Sequence, residues 1–317
     1  MNGVITIYKK ELSDHFSSNR FLILFALIAM VSLITAYMAG LNLAKNLEGI
    51  AKPKFVFLLM FTSSGVQFSL VQFIAFFGPL IGLMLGFDTI NRERNEGTLS
   101  KLLSQPIYRD SVINGKFLAG LTIISLMVIS IILVVSGLGL TMIGVVPGFE
   151  EICRLMIYVI ISIFYLAFWL GIAILFSIIF RTVSTSALAS LAFWIFSSFF
   201  IYLGANAVAG ALVPDAIDDS AMMILKAKIE KSIALTSPLQ LYTDATATII
   251  DPMRRTTKAM VQVGMMEQIS MSRFAGPLPL SQSILVVLPY IISLIAVSMI
   301  CFAISYVVFM KQEIRSL

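Results

Sequence analysis

The charged stretch from Phe87 to Asp110 has residue types suited to gripping another protein rather than to breaking a covalent bond. Arg92 and Glu96 stand four apart, the spacing of an ion pair on a helix surface. Leu99, Leu102 and Leu103 supply an apolar face, and Pro106 stops the helix. The pattern predicts a short amphipathic helix over 91–104. A solvated connector has no need of three leucines on one side, so the expectation is docking into a groove on a partner.

Catalytic chemistry is hard to find in the rest of the chain. A phosphate-cradling G-x-x-x-x-G-K-[ST] does not occur. Lys116 follows Gly115, but Asp110 stands where the first glycine belongs and Phe117 comes next. No catalytic residue and no cofactor are therefore expected in this chain. His15 cannot build a metal site alone, and Cys153 and Cys301 lie in separate apolar stretches, which argues against a disulfide. Met222, Met223, Met253, Met260, Met265, Met266 and Met271 are thioethers that could hold Cu(I). The blander reading, pliable apolar filler, is preferred because no histidine or cysteine accompanies them. Asp215, Asp218 and Asp219 fit helix capping better than a hard-cation site, so no metal is assigned.

What positions the charged stretch is an apolar chain. Of 317 residues 59% are hydrophobic and 12% charged, against about 25% charged in a soluble domain, and the mean hydropathy is +0.97. The bilayer must be the solvent. The formal charge of +5 is then read as Lys and Arg marking cytoplasmic loops, with no nucleic-acid partner. A crossing needs about 20 apolar residues. Six segments qualify: Phe21–Gly40, Gln67–Phe87, Phe117–Leu140, Leu155–Phe180, Val183–Asn206 and Ile284–Met310. None holds a charge. The further apolar piece Phe55–Phe61 is expected at the membrane interface. Eleven cations fall on the side of the N-terminus, whereas the short loops opposite carry Lys45, Lys52, Lys54 and Arg154, which predicts both termini in the cytoplasm.

The expected fold is therefore all-α and polytopic. Residues 1–20 form an amphipathic interfacial helix with Val4, Ile5, Tyr8, Leu12 and Phe16 on its apolar side. Residues 21–206 make five crossings, 207–283 a largely helical extracytoplasmic cap, and 284–317 the sixth crossing with a short tail. Gly82 and Gly86, like Ser186 and Ser190, have the spacing that lets membrane helices approach closely. Pro79 predicts a kink.

The segment Glu93–Arg109, read as E-x-x-E-G-T-L-x-x-L-L-S-x-P-x-x-R and followed by Gly115-Lys116, resembles the signature loop of ABC-2 type permeases. It is similar to the branch that includes the nitrous-oxide-reductase maturation permease. Tyr8-Lys-Lys-Glu-Leu12 and, more weakly, Ser237-Pro-Leu-Gln-Leu-Tyr242 also match that branch. The resemblance implies a permease subunit of an exporter in the cell membrane. It would be paired with a second permease copy or a paralogue and with two cytosolic ATPase subunits that bind ATP and Mg. The loop helix would be the coupling helix. Glu93, Glu96, Gly97, Thr98, Leu99, Leu102 and Leu103 would be its transmission contact, and Pro106 and Arg109 would fix its exit.

For a substrate pathway the polar side chains of the first and fifth crossings are the candidates: Thr35, Tyr37, Ser197, Ser198, Tyr202 and Asn206. An alternative reading keeps the ATP-driven motion but transports nothing. The chain would then act as a mechanotransmission or maturation module on an extracytoplasmic protein through the cap.

Overall fold

In lipid every backbone N–H and C=O must find a partner within the protein, so apolar runs of this length fold as helices. The computed structural model describes residues 2–46, 55–62, 69–104, 107–213, 220–252 and 277–312, and their regular elements are all helical. In chain order these are α1 Asn2–Phe16, α2 Asn19–Asn46, α3 Val56–Thr62, α4 Leu70–Gly86, α5 Asn91–Asn95, α6 Thr98–Leu103 and α7 Arg109–Ile143. They continue with α8 Phe149–Ile179, α9 Val183–Ile195, α10 Ile201–Leu212, α11 Ser220–Ala234, α12 Pro238–Ile250 and α13 Leu280–Lys311. A π-helical turn, Phe196–Phe200, joins α9 to α10.

Six elements are long and apolar enough to cross a bilayer: α2, α4 with its continuation, α7, α8, α9–α10 and α13. Most run past the expected bounds, since hydropathy marks the lipid-bathed part of a helix and not its ends. The longest, α7, has 35 residues, about 52 Å at 1.5 Å per residue.

The centre of the bundle is α4, α8 and α13, three helices running in the same direction. Against α8, α4 carries the two expected glycines at its closest approach. A Cβ on Gly82 would stand 2.7 Å from the Leu166 carbonyl oxygen, and one on Gly86 would stand 2.6 Å from the Ala173 Cβ. Pro79 lies inside α4 and, lacking an N–H, leaves the Ala75 carbonyl without its helical donor. The Tyr165 hydroxyl of α8 donates to that carbonyl at 2.7 Å. Along α13 the donors recur every seven residues. Ser298 donates to Phe164 O at 2.9 Å, Ser305 to Gly171 O at 3.1 Å and Gln312 to Ile178 O at 3.1 Å. This is the period of two helices wound left-handedly around each other.

Several expectations change. The piece Phe55–Phe61 is covered by the bundle: it forms α3, with Phe57 and Phe61 almost fully buried. The helix expected over 91–104 is two short helices, because Gly97 between them takes a left-handed conformation at φ +68°. The segment expected as a cap is in part a hairpin set into the bundle. Here α11 turns back along α10, and α12 packs between α8 and α13. Tyr242 of α12 stacks on Tyr165 with ring centres 4.3 Å apart and shares a 2.8 Å hydrogen bond with Ser162. Tyr165 is sixteen residues from the start of α8, the end where α12 closes on Arg154, about 24 Å along the axis, so the hairpin tip reaches well into the apolar layer. Residues 253–276 of the expected cap, and Asp215, Asp218 and Asp219, lie outside the described residues.

Of the apolar side expected for α1, Ile5 and Phe16 are 46% and 40% exposed, whereas Leu12 packs against the core. The side beside it, Ile7 and Glu11, is buried against α7. Cys153 and Cys301 are both free.

Candidate functional site

The charged stretch lies at the end of the bundle that also carries α1. The backbone N–H groups of Ile90 and Asn91 donate to the Ser177 hydroxyl of α8 at 2.9 and 3.1 Å. The Asn91 amide donates to Phe87 O and to Thr182 O, the residue that caps α9. Arg94 donates to the Gln312 side chain at 2.6 Å and reaches Ile178 O. Arg109, the first residue of α7, donates to Gln312 O at 3.1 Å. The segment is thereby fastened to the ends of α8, α9 and α13 at once.

A second set of contacts is ionic. Lys116 of α7 has its ammonium 2.8 Å from Glu11 of α1 and 3.0 Å from Glu93 of α5. Lys10 stands 3.1 and 3.0 Å from the same two oxygens. The side chains of Lys116, Glu11 and Glu93 are 2%, 10% and 12% exposed, so two carboxylates and an ammonium are largely withdrawn from water with a half-exposed Lys10 beside them. Charges this buried survive only when paired. Burial pushes the Glu11 carboxyl upward, but Lys116, and then Lys10, overcome it and hold the group below the usual carboxylate range. Burial opposes the charge on Lys10 as well, yet Glu11 and Glu93 keep its ammonium above the ordinary lysine range.

The residues expected to meet a partner separate into two groups. Glu96, Gly97 and Thr98 are exposed at the turn, with Arg92 and Glu96 paired at 3.0 Å as their spacing predicts. Leu99 is only 1% exposed, and Leu102 packs against the core. Leu99 thereby roots the segment in its own bundle. Glu93 is likewise turned inward to the lysines. An apolar stripe says that something covers it, not what. The side chain of Leu103, and Pro106 entirely, lie outside the described residues.

The expected pathway residues do not converge within one chain. Thr35 is buried and Tyr37 half exposed on α2, which packs on α1, α3, α4 and α7. Ser197, Ser198, Tyr202 and Asn206 lie on the separate stack of α9, the π turn and α10. Ser197 matters in another way. Its carbonyl accepts a 2.7 Å hydrogen bond from Ser237, the residue that opens α12. A π turn carries an i→i+5 register and leaves a carbonyl available to an outside donor, and this one anchors the hairpin.

At the opposite end Arg154, expected in a loop, is in the second turn of α8 and wholly buried. It donates to Thr248 O and Ile249 O at the close of α12, to Leu278 O and Ser283 ahead of and within α13, and to Glu150 at 2.9 Å. Its guanidinium also lies over the Phe55 ring. The sequence signal was the Glu150–Arg154 spacing of four. Among the described residues no group of His, Cys, Asp and Glu could hold a metal.

Comparison with known proteins agrees with this architecture. Residues 5–314 match the sequence model of the ABC-2 family transporter proteins. A stretch of 129 residues is 32% identical to the "Probable ABC transporter permease protein NosY" of Stutzerimonas stutzeri, covering 41% of this chain and 42% of that protein. The protein of the same name from Pseudomonas aeruginosa is 33% identical over 118 residues, 37% of this chain and 38% of its own length. The aligned stretches thus span less than half the length of either relative.

Proposed function

Since this chain belongs to the ABC-2 family of transporter proteins, we propose that it is the permease subunit through which a separate cytosolic ATPase drives export. Two ATPase subunits, which bind the ATP and Mg, and a second permease copy or paralogue complete the assembly. The α1 end faces the cytoplasm, as the bias of cations supports. The chain itself supplies no catalysis.

One observation carries the reading. The exposed turn Asn95–Thr98 hangs from a segment that is hydrogen-bonded to α8, α9 and α13 and ion-paired to α1 and α7. A push on that turn cannot be absorbed locally. It is delivered to the ends of several crossings together, which is what switching access across a membrane requires. The ladder of Ser298, Ser305 and Gln312 extends this connection up α13.

The test is charge reversal at the tip. Glu96→Lys should weaken ATPase retention and stimulation while leaving the unfolding midpoint of the chain unchanged. The swapped pair, Arg92→Glu with Glu96→Lys, restores the helix ion pair but not the surface charge pattern. It should remain uncoupled. Full ATPase stimulation in both variants would refute the role of this turn.

A further inference from the structure

The hairpin that returns into the bundle carries charge to a depth where lipid is a poor host. Its first helix, α11, runs back along α10, and the Ser237 hydroxyl that follows donates to Ser197 O at 2.7 Å. Ser197 is at the middle of the 30-residue crossing Val183–Leu212, so the hairpin tip stands near the bilayer centre. At 1.5 Å per residue, Lys231 lies about 9 Å and Lys228 about 13 Å above the tip. Both are within the hydrocarbon's half-thickness of about 15 Å.

Lys228, Ser232 and Thr236 recur every four residues, and all three are exposed. They form a polar stripe that descends from the mouth of the hairpin to its tip. Beside it Lys231 is 38% exposed, although its ammonium is 3.9 Å from the buried Asp244 and 5.2 Å from the centre of the Tyr290 ring. A charged group within hydrocarbon is costly, so accessible side chains of this kind face a water-filled space. The charges there do not cancel. Lys231 is offset by Asp244, and the half-buried Lys226 and Glu230 stand four apart with opposite signs. Lys228 pairs with no carboxylate among the described residues, and it leaves their stripe with one net positive charge.

We propose that the α11 stripe walls a water-filled, anion-selective outer half of the export route, so that the cargo carries negative charge. Lys228 draws the anion at the mouth, and the Thr236 hydroxyl offers it a hydrogen bond near the tip. The Ser232 hydroxyl donates to Lys228 O at 2.8 Å and so adds only an acceptor. The inference rests on the export reading for the cargo and its direction, whereas the wet passage and its charge preference are measurable without an ATPase.

The test is thiol labelling of the full-length chain in proteoliposomes. Ser232→Cys, Thr236→Cys and, as a control on the lipid-bathed face of α13, Ile292→Cys are each made in a chain carrying Cys153→Ser and Cys301→Ser. Two membrane-impermeant methanethiosulfonates are used, one bearing a sulfonate and one a trimethylammonium, and each rate is divided by that reagent's rate with a free small thiol. Ser232→Cys and Thr236→Cys should react, and Ile292→Cys, 56% exposed in the native chain, should stay silent. At Ser232→Cys the normalised sulfonate rate should exceed the trimethylammonium rate about ten-fold at low ionic strength, the effect of one cation about 6 Å away in a water-like dielectric. Lys228→Gln should bring that ratio to about one. Silence at both stripe positions, equal labelling of Ile292→Cys, equal normalised rates, or a ratio that Lys228→Gln leaves unchanged overturns the proposal. Should Lys228→Gln fail to fold, the ratio in the chain that keeps Lys228 decides. A selective stripe together with full ATPase stimulation in the Glu96→Lys variants would refute the coupling reading and keep the passage; the reverse pattern would refute the passage alone.

Discussion

Replacing Lys116 by Met should both destabilise the protein and reverse its response to pH. Lys116 is 2% exposed and lies within 3.0 Å of two carboxylates that are themselves 10% and 12% exposed. Removing one member of a buried ion pair costs roughly 3–5 kcal/mol, because the remaining charge is left in a poor solvent. Here Lys10 remains 3.0–3.1 Å from both oxygens, although 46% exposed, so the loss falls somewhat below that range, at about 2–3 kcal/mol. The pH dependence follows from Glu11. In the wild type its carboxyl is held below the ordinary value of 4.5, so the stability it contributes is present above that value and is lost as pH falls through its folded pKa. Without Lys116, burial outweighs the remaining Lys10 and the folded pKa rises above the unfolded one. The variant should then gain stability as pH falls toward 5 and lose it as pH rises. Equilibrium unfolding in mixed detergent micelles at pH 5 and pH 8 measures both effects. A loss under about 1 kcal/mol, or an unchanged pH slope, would show that the cluster does not hold α1, α5 and α7 together as argued.

Substitutions at three further contacts test the rest of the frame. Tyr165→Phe should cost about 1–2 kcal/mol by stranding the Ala75 carbonyl, and much less beside Pro79→Ala, which restores the helical N–H; additive losses in the double-mutant cycle would refute the pairing. Gly82→Val should push α4 from α8 and lower the unfolding free energy by about 1–3 kcal/mol, since even a Cβ there meets backbone at 2.7 Å. Arg154→Met should cost about 3 kcal/mol, and Arg154→Lys should recover only part of it, because one ammonium cannot reach Thr248 O, Leu278 O and Glu150 together. Full recovery by lysine would reduce the site to simple charge.

The charged segment stood out in the sequence as a location. The sequence pointed to 91–104 through its charges and leucines, and the exposed turn at Glu96, Gly97 and Thr98 is there. The direction of Leu99 and Glu93 was hidden, because their partners come from α1, α7 and the core, tens to hundreds of residues away along the chain. The lysine of the cluster looked like an ordinary loop cation. Arg154 did too, although its spacing from Glu150 was visible.

What the sequence decided by itself is what lipid enforces: six helical crossings, their order, and the close contact at Gly82 and Gly86. Each depends on local composition, since a backbone in hydrocarbon must bond to itself. What only the tertiary structure decided is how polar groups in or beside those helices are satisfied. Ser237 finds the Ser197 carbonyl at a π turn, Tyr165 finds the carbonyl that Pro79 orphaned, and Lys116 finds two glutamates on other helices. Such pairings depend on which helices become neighbours, and apolar pattern constrains the face of a helix but not the identity of what lies against it.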